Sequence, residues 1–181
     1  MHTLTEIKAA LTEVLDQIGQ FITANTSGTL HAKPTDKWSI AEELMHLAKA
    51  NQGSSVAFCQ PTDKLPPTAH EPRGYEAIAA QYRERSQTIG VKAPPKLIPG
   101  DEVLQLTVEQ CQSQFASASE ALLHSLNNWA EEGLDAVTVW KHPLLGPVTA
   151  REMLLFTVFH NRHHLASLHE KLRSAEISTG H

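Results

Sequence analysis

The sequence predicts an all-α protein, a four-helix bundle built as one domain over residues 1–181. Four segments carry apolar residues in alternating steps of three and four, the spacing that puts them on one face of a helix. Each segment opens with a capping box, in which two side chains bond the free amides of the first helical turn. The proline-rich stretch 60–106 is long enough to cross the length of a bundle, so the second and third helices are expected to point the same way.

The helix starts follow from the four capping boxes. These boxes are Thr3 with Glu6, Ser39 with Glu42, Thr107 with Gln110, and Thr149 with Glu152. From the first box we expect a helix over about residues 4–24, followed by a loop over 25–37. The second helix begins at Ser39 and is limited by Pro61, because proline lacks the amide that a helix interior needs.

The second half of the chain continues this pattern after the crossover. One short helix is expected within the crossover, near residues 75–86. The third long helix covers about 107–130, a loop follows over 131–148, and the fourth helix covers about 150–173. The fourth helix is apolar on nearly every side over 153–159, which predicts a central, buried element.

Composition and charge exclude several classes of protein. The 15 basic and 20 acidic residues give a net charge of −5 without a cluster of lysine or arginine, which argues against a nucleic-acid or acidic-membrane partner. The chain contains no apolar run near the ~20 residues that span a bilayer. The N-terminal region holds Glu6, Glu13 and Asp16 and no continuous apolar segment, so we do not expect a signal peptide.

The two cysteines, Cys59 and Cys111, stand alone without CxxC spacing. A disulfide framework is therefore not expected, and a reducing cytoplasm fits this usage of cysteine. Cys59 can be either a reactive thiol or a small apolar filler, and the residue type favours the filler.

The chemistry of the sequence concentrates in the fourth helix, at His160 and His164. Side chains four residues apart project from the same helix face, so these two imidazoles can reach one divalent metal. A shared metal would satisfy two neutral rings that an apolar environment would otherwise leave unpaired. Imidazole suits zinc, nickel, iron and copper, so residue type alone does not choose the metal. The alternative is a hydrogen-bonded pair at a helix end, where positive charge suits the helix dipole.

Three further histidines near this motif are predicted not to bind the metal. His163 is rotated off the face that carries the pair, and His169 lies further on with weaker alignment. His142 sits in the loop before the helix, between Trp140 and the helix start, and we expect an ordinary turn histidine there.

His46, on the second helix, is harder to place from its pattern. It shares a face with Glu42, Glu43, Ala50 and Gly53, opposite the main apolar stripe, and this pattern alone favours a solvated histidine. If that face instead lines a cleft, the small residues would leave room for a metal and a substrate. Glu42 or Glu43 could then orient the imidazole, although Glu42 is also a capping-box residue.

Two blocks of the sequence resemble a known family. The blocks KWSIAEELMHL and HPLLGPVTAREMLLFTVFHNRHHLASL resemble the DinB-like (YfiT-like) superfamily of metal-dependent four-helix-bundle proteins. The first block is similar to the family's second-helix motif, which implies that His46 is a metal ligand. The second is similar to its HPxxG loop and H-x-x-x-H helix, which implies His160 and His164 as the other ligands. Many relatives carry arginine just before the last histidine, where this chain has His163.

The resemblance also implies an architecture and a chemistry. The helices are expected to run up-down-down-up, in agreement with the crossover over 60–106, and dimers are frequent in the family. Relatives include thiol-dependent transferases and isomerases. The resemblance therefore implies a divalent metal, expected to be zinc or nickel, and a low-molecular-weight thiol or another small molecule as substrate. A three-histidine site with an open position suits thiol transfer or hydrolysis, and the sequence does not separate the two.

A non-catalytic protein remains the alternative. In this hypothesis the chain is a small binding or dimerisation module whose histidines hold a structural metal or none. A closed site, with His142 or Glu42 as a fourth ligand, would support the module, whereas an open three-histidine site would support the enzyme.

Overall fold

A computed structural model describes residues 2–33, 37–89 and 93–179. This part of the chain is mostly helical, which confirms the predicted class, and it also carries one small two-stranded sheet. The helices are α1 (Leu4–Thr23), α2 (Ser27–His31), α3 (Ile40–Phe58), α4 (Tyr75–Ile89), α5 (Val108–Ser125) and α6 (Ala150–Thr179). The strands are β1 (Thr138–His142) and β2 (Gly146–Thr149).

The four predicted capping boxes are present and set the first turns of the long helices. In α1, α3 and α5, the side chains of Thr3, Ser39 and Thr107 exchange both capping bonds with the residue three positions later. At the start of α6, Glu152 bonds the amide of Thr149 at 3.0 Å, and the Thr149 hydroxyl bonds the amide of Glu152 at 3.1 Å. Each cap stabilises its helix by roughly 1 kcal/mol, enough to fix the starting residue.

The ends of the helices and one loop differ from the prediction. α5 stops at Ser125 and passes into a 3₁₀ turn, whereas α6 continues to Thr179, past the expected end. The short helix α2 lies within the expected loop 25–37, because the Thr26 hydroxyl caps it by accepting from the Thr29 amide. Residues 34–36 of that expected loop lie outside the described residues.

The long helices enclose the core in a simple pattern of contacts. α1 packs against α5 and α6, and α3 packs against the same two helices. Between α3 and α6, Asn51 and Asn161 are buried and form a reciprocal amide pair with N···O distances of 3.1 and 2.9 Å. This pair fixes the register of α3 against α6 next to the predicted histidine site.

The segment that connects α3 to α5 carries the predicted short helix and lies over the other helices. α4 packs against α6, and the 3₁₀ turns Pro95–Leu97 and Asp101–Gln105 pack against α3. Through these contacts the connecting segment brings side chains from outside the long helices against α3 and α6.

Arg73 ties the connecting segment to the start of α6. Its Nε and Nη2 donate to the two carboxylate oxygens of Glu152 at 2.8 and 2.9 Å. The guanidinium also donates to the carbonyls of Leu145 and Pro147 and to the side-chain oxygen of Gln81. His70 Nε2 lies 3.0 Å from the same carboxylate, which is fully buried. Burial alone would raise the pKa of Glu152, but the bonds from Arg73 and His70 outweigh it and lower the pKa to about 2.

A β-hairpin occupies part of the stretch 131–148, where the sequence predicted only a loop, and that prediction is wrong. β1 and β2 pair antiparallel, with His142 opposite Gly146, and both strands contact α6. Gly146 has a φ of +74°, a conformation that glycine adopts without strain. The register is irregular between Thr138 and Trp140, which weakens the alternation by which strands are recognised.

The described helices include none that is long and apolar enough to cross a membrane. This finding agrees with the absence of a long apolar run in the sequence.

Candidate metal centre

The helix α6 holds His160 and His164 on one face, one turn apart. Their Nε2 atoms are 3.2 Å from each other, and their ring centroids are 4.5 Å apart. Every residue of α6 over 150–161 is buried, so the predicted central position of this helix is confirmed. The two rings thus lie at the point where a buried helix begins to emerge from the core.

His46 of α3 joins this pair, and the solvated position that its pattern alone favoured is wrong. Its side chain is 5% exposed, and its ring centroid is 5.4 Å from that of His160 and 5.0 Å from that of His164. The connecting segment covers this face of α3, and the carbonyl of Leu97 lies 3.0 Å from Nδ1 of His46. One ligand nitrogen from each of the three histidines lies within 4.8 Å of the other two.

Hydrogen bonds determine which ring nitrogens are available to a cation. Because a carbonyl oxygen only accepts, Nδ1 of His46 carries the proton that bonds Leu97, and its Nε2 keeps a lone pair in the neutral ring. Nδ1 of His164 donates to Oε1 of Glu43 at 2.6 Å, and its Nε2 faces that of His160. An Nδ1–H bonded to a carbonyl or carboxylate is the usual support of a metal-binding histidine.

Glu43 is held firmly enough to orient His164. Lys171 Nζ and Ser167 Oγ donate to its second oxygen at 2.6 and 3.1 Å, and the side chain is buried. Burial alone would raise the pKa of Glu43, but the bonds and charges of His164 and Lys171 outweigh it and lower the pKa to about 2. Glu43 therefore stays an ionised acceptor at neutral pH.

The surroundings also keep two of the imidazoles in the neutral form that binds metals. Burial, reinforced by the neighbouring His164, lowers the pKa of His46 to about 4. Burial is also the largest cause that holds the pKa of His160 well below its usual range. Neutral imidazole is the form that coordinates a metal, so neither ring must lose a proton first at neutral pH.

This donor set fits a divalent metal. Two Nε2 atoms at 3.2 Å cannot both present lone pairs to each other, so a proton or a cation must lie between them. Zinc–imidazole bonds of about 2.0–2.1 Å place two ligands of a tetrahedral site about 3.3 Å apart. The separation between His160 and His164 is therefore close to what zinc requires.

Glu42 and His163 lie outside the cluster. Both oxygens of Glu42 are engaged, one by the Ser39 amide at 2.7 Å and the other by Lys33 at 2.8 Å. His163 is exposed, and its ring stacks on that of Phe159 with centroids 6.0 Å apart. Neither residue belongs to the group of side chains that could share one metal ion.

His142 is buried in the hairpin and differs from an exposed turn histidine. It is 7% exposed, and its Nδ1 accepts hydrogen bonds from the amides of Leu144 and Leu145 at 3.1 and 3.2 Å. An accepting Nδ1 leaves the proton of the neutral ring on Nε2. Burial, with the charge of Arg73 as a second cause, lowers the pKa of His142 to about 4. Neither nitrogen of the neutral ring therefore offers a free lone pair to a metal.

The histidine cluster opens on a cleft with a volume of about 1510 Å³. Its walls come from α3, α4, α6, the hairpin and the connecting segment, which contributes Tyr82 and residues 93–98. Prominent apolar lining residues are Trp38, Leu97, Trp140, Met153 and Phe156. The lining also contains four lysines and one carboxylate, Lys37, Lys49, Lys96, Lys171 and Glu43. The segment that connects α3 to α5 thus covers part of the cleft.

Tyr82 is a cleft residue to which the sequence assigned no role. Its ring centroid lies 6.3 Å from that of His160 and 6.2 Å from that of His142. Burial raises the pKa of Tyr82, so the phenol stays protonated at neutral pH. The one available signal was an aromatic hydroxyl on the short helix of the crossover, and nothing local shows that this helix packs against α6.

The two cysteines lie apart from this site and are free. Cys111 is buried, whereas Cys59 is exposed at the end of α3. The interpretation of Cys59 as an apolar filler is therefore wrong, because the chain leaves the core at this C-cap position, directly after the buried Ala57 and Phe58.

Fold and site together define a helical protein in which three histidines from two helices converge at a cleft. The family model of the DinB superfamily matches residues 3–168, and the chain belongs to this superfamily. The resemblance seen in the two sequence blocks is thereby confirmed. A search of curated proteins found no match to the chain.

Proposed function

We propose that the protein binds one divalent metal through His46, His160 and His164 and is a metalloenzyme of thiol-dependent transferase or hydrolase type. The observation that carries this proposal is the convergence of one nitrogen from each ring within 4.8 Å. The Nδ1 protons of His46 and His164 are already bonded to protein acceptors, as metal ligands require. Three ligands leave a position for water or substrate, which favours catalysis over a purely structural site.

The proposed chemistry divides between the metal and the chain. A bound zinc or nickel ion would act as a Lewis acid that makes a water or a small thiol nucleophilic at neutral pH. Glu43 and the carbonyl of Leu97 would keep the ligand rings oriented, and Lys171 would keep Glu43 ionised. The apolar walls of the cleft, including Trp38 and Trp140, would hold the substrate against the open side of the histidine cluster.

We also infer a single domain in which α1, α3, α5 and α6 form an up-down-down-up bundle. The packing of α1 and α3 against both α5 and α6 supports a four-helix arrangement. The long connecting segment between α3 and α5 supports a crossover between helices that point the same way. A homodimer in the cytoplasm completes the proposal, on the strength of the family resemblance and the free cysteines.

Elemental analysis of the purified protein, after incubation with zinc or nickel, tests the metal site. We expect about one metal per chain, and a large loss of metal in His46→Ala, His160→Ala and His164→Ala without loss of helical content. His163→Ala is the matched control, since it removes a neighbouring imidazole of α6 that lies outside the cluster. Full occupancy in any of the three ligand variants would show that the assignment is wrong.

Two parallel assays on the metal-loaded protein distinguish the two types of reaction. Transfer of a small thiol to chlorodinitrobenzene represents the transferase, and cleavage of p-nitrophenyl acetate represents the hydrolase. We expect one activity to depend on metal and to disappear in His160→Ala. A fully loaded protein without either activity would count against this enzyme class.

A binding or dimerisation module is the second candidate, and one observation favours it. The large exposed apolar side chains Val56, Ile98 and Trp140 all line the cleft, where a partner chain could cover them. Sedimentation of the wild type and of Val56→Ser tests this function. A dimer that dissociates in the variant, combined with a loaded but inactive protein, would favour the module.

A further inference from the structure

His142 holds an unused hydrogen-bond donor next to the proposed metal site. Its Nδ1 is occupied by the amides of Leu144 and Leu145, so the proton of the neutral ring is on Nε2. Within the described segments, this Nε2 has no acceptor. The ring of Phe156 contacts both His142 and His160, at centroid distances of 4.5 and 5.3 Å.

Tyr82 supplies a second unused donor on the same wall of the cleft. Its ring meets His142 edge to face at 6.2 Å and also packs on Phe156 at 5.3 Å. The hydroxyl has no hydrogen-bond partner among the residues that the structure describes. Because the phenol is protonated at neutral pH, it acts as the hydrogen-bond donor when it meets an anionic acceptor.

Neither donor is sealed inside the protein. The buried side-chain atoms without a partner in the described part of the chain are His31 Nδ1, Thr68 Oγ1 and Asp135 Oδ1. His142 Nε2 and Tyr82 Oη are not among these atoms, and both residues line the cleft. Two donors without a protein acceptor that open on one cleft can both donate to a single acceptor group of a ligand bound there.

The charge of the cleft indicates what kind of acceptor this is. The lining contains four lysines, whereas its one carboxylate, Glu43, is already bonded to His164 and Lys171. Lys49 and Lys96 have no carboxylate partner among the described residues. An anionic group is therefore favoured in this cleft, and the aromatic walls favour an apolar body attached to it.

We propose that His142 and Tyr82 form a two-donor subsite, in which Nε2 and Oη donate hydrogen bonds to the carboxylate of a small organic acid with an apolar body. The subsite deepens the proposed function, because it lies in the same cleft and names the class of substrate. It would hold the substrate carboxylate on the hairpin side of the cleft and direct the remainder of the molecule toward the three histidines.

The test of this subsite is benzoate binding to the full chain, measured by calorimetry and by NMR of the histidine rings. The titration uses metal-free protein first, so that benzoate cannot bind through the metal, and zinc-loaded protein second. Tyr82→Phe removes one donor. His142→Asn removes the Nε2 donor while its side-chain oxygen can still accept from Leu144 and Leu145, so the hairpin is retained. Tyr75→Phe and His124→Asn change residues outside the lining of this cleft and are the matched controls.

We expect each subsite variant to weaken benzoate binding roughly tenfold, as expected for losing a hydrogen bond to a charged acceptor. The controls should bind benzoate as the wild type does. Benzoate should also shift the Nε2 resonance of His142, and long-range proton–nitrogen spectra should show the Nε2–H form before benzoate is added. Benzyl alcohol, which has the same ring without a carboxylate, should bind more weakly.

Several results would overturn the subsite. These are no benzoate binding, equal binding of benzyl alcohol, unchanged affinity in both variants, or an Nδ1–H form of His142. Failure here is distinct from failure of the metal proposal, because metal content is measured separately. If the protein loads metal but the variants bind benzoate as the wild type does, only the subsite proposal is wrong. If the protein binds benzoate but does not load metal, only the metal-site proposal is wrong.

Discussion

Glu43 of α3 and His164 of α6 meet at 2.6 Å although 121 positions of chain separate them. This bond links the two helices that carry the three histidines, and it turns the Nε2 of His164 toward His160. Lys171 and Ser167 hold the other oxygen of Glu43, so the carboxylate has little freedom to turn away. The orientation of a proposed metal ligand is thus determined by residues that do not themselves face the metal position.

The first prediction concerns this bond. Glu43→Ala should lower zinc affinity by roughly 10- to 100-fold, because an unsupported histidine loses its orientation and some basicity. The affinity is measured by competition with a chelating dye. Glu42→Gln is the matched control, since its carboxylate caps α3 and pairs with Lys33, and it should bind zinc as the wild type does. Equal zinc affinity in Glu43→Ala and wild type would remove Glu43 from the site.

The second prediction concerns the amide pair of Asn51 and Asn161. Asn51→Leu leaves a buried amide of Asn161 without its partner and should lower the free energy of unfolding by roughly 1–3 kcal/mol. The double variant Asn51→Leu, Asn161→Leu should cost less than the sum of the two single variants, because no orphaned amide remains. Urea unfolding measures all three, with the exposed Asn128→Leu as control. Additive losses would show that the amides do not act as a pair.

The parts of the fold that the sequence predicts are those with local causes. A capping box needs only residues three positions apart, and all four boxes are present, including the one at Thr149 and Glu152. The juxtaposition of His160 and His164 is equally local, because one turn of helix brings them together. In these cases the residues that interact lie within about one helical turn of each other in the sequence, so the sequence pattern itself reports the contact.

The rest depends on contacts that no local pattern reports. His46 lies on a face that is polar in sequence, yet it is buried, because the turn that contains Leu97 covers α3 there. The hairpin was missed because its strands are short and irregular in register, and Pro147 lies within one of them. Only the family resemblance identified His46 as a candidate ligand, and only the fold shows how it reaches the cluster.

A third prediction concerns pH and His142. The pKa of this buried ring is lowered to about 4, whereas an unfolded chain has a histidine pKa near ~6.5. Between these values the unfolded chain binds a proton that the folded protein does not, so stability falls as the pH falls. The contribution is roughly 1.4 kcal/mol per pH unit inside this window. Urea unfolding of metal-free wild type and His142→Asn should therefore show a shallower pH dependence in the variant, and identical slopes would contradict the buried neutral ring.

The last prediction separates two roles of Glu152. This carboxylate caps α6 and also accepts two bonds from the side chain of Arg73, while remaining fully buried. Glu152→Gln can keep the capping box, as Gln110 does in α5, but it removes the charge that Arg73 pairs with. We expect a loss of roughly 3 kcal/mol in the free energy of unfolding, because an arginine is left beside a neutral partner.

Thermal and urea unfolding measure this loss, with the exposed Glu76→Gln as a control that should change stability by less than about 0.5 kcal/mol. Zinc content in the folded fraction gives the decisive second reading. If Arg73 and Glu152 serve only to anchor the connecting segment, Glu152→Gln will unfold more easily yet still bind zinc while folded. If zinc is lost from folded protein, the anchor also sets the position of α6, and the geometry of the histidines then depends on a charge pair at the far end of their helix.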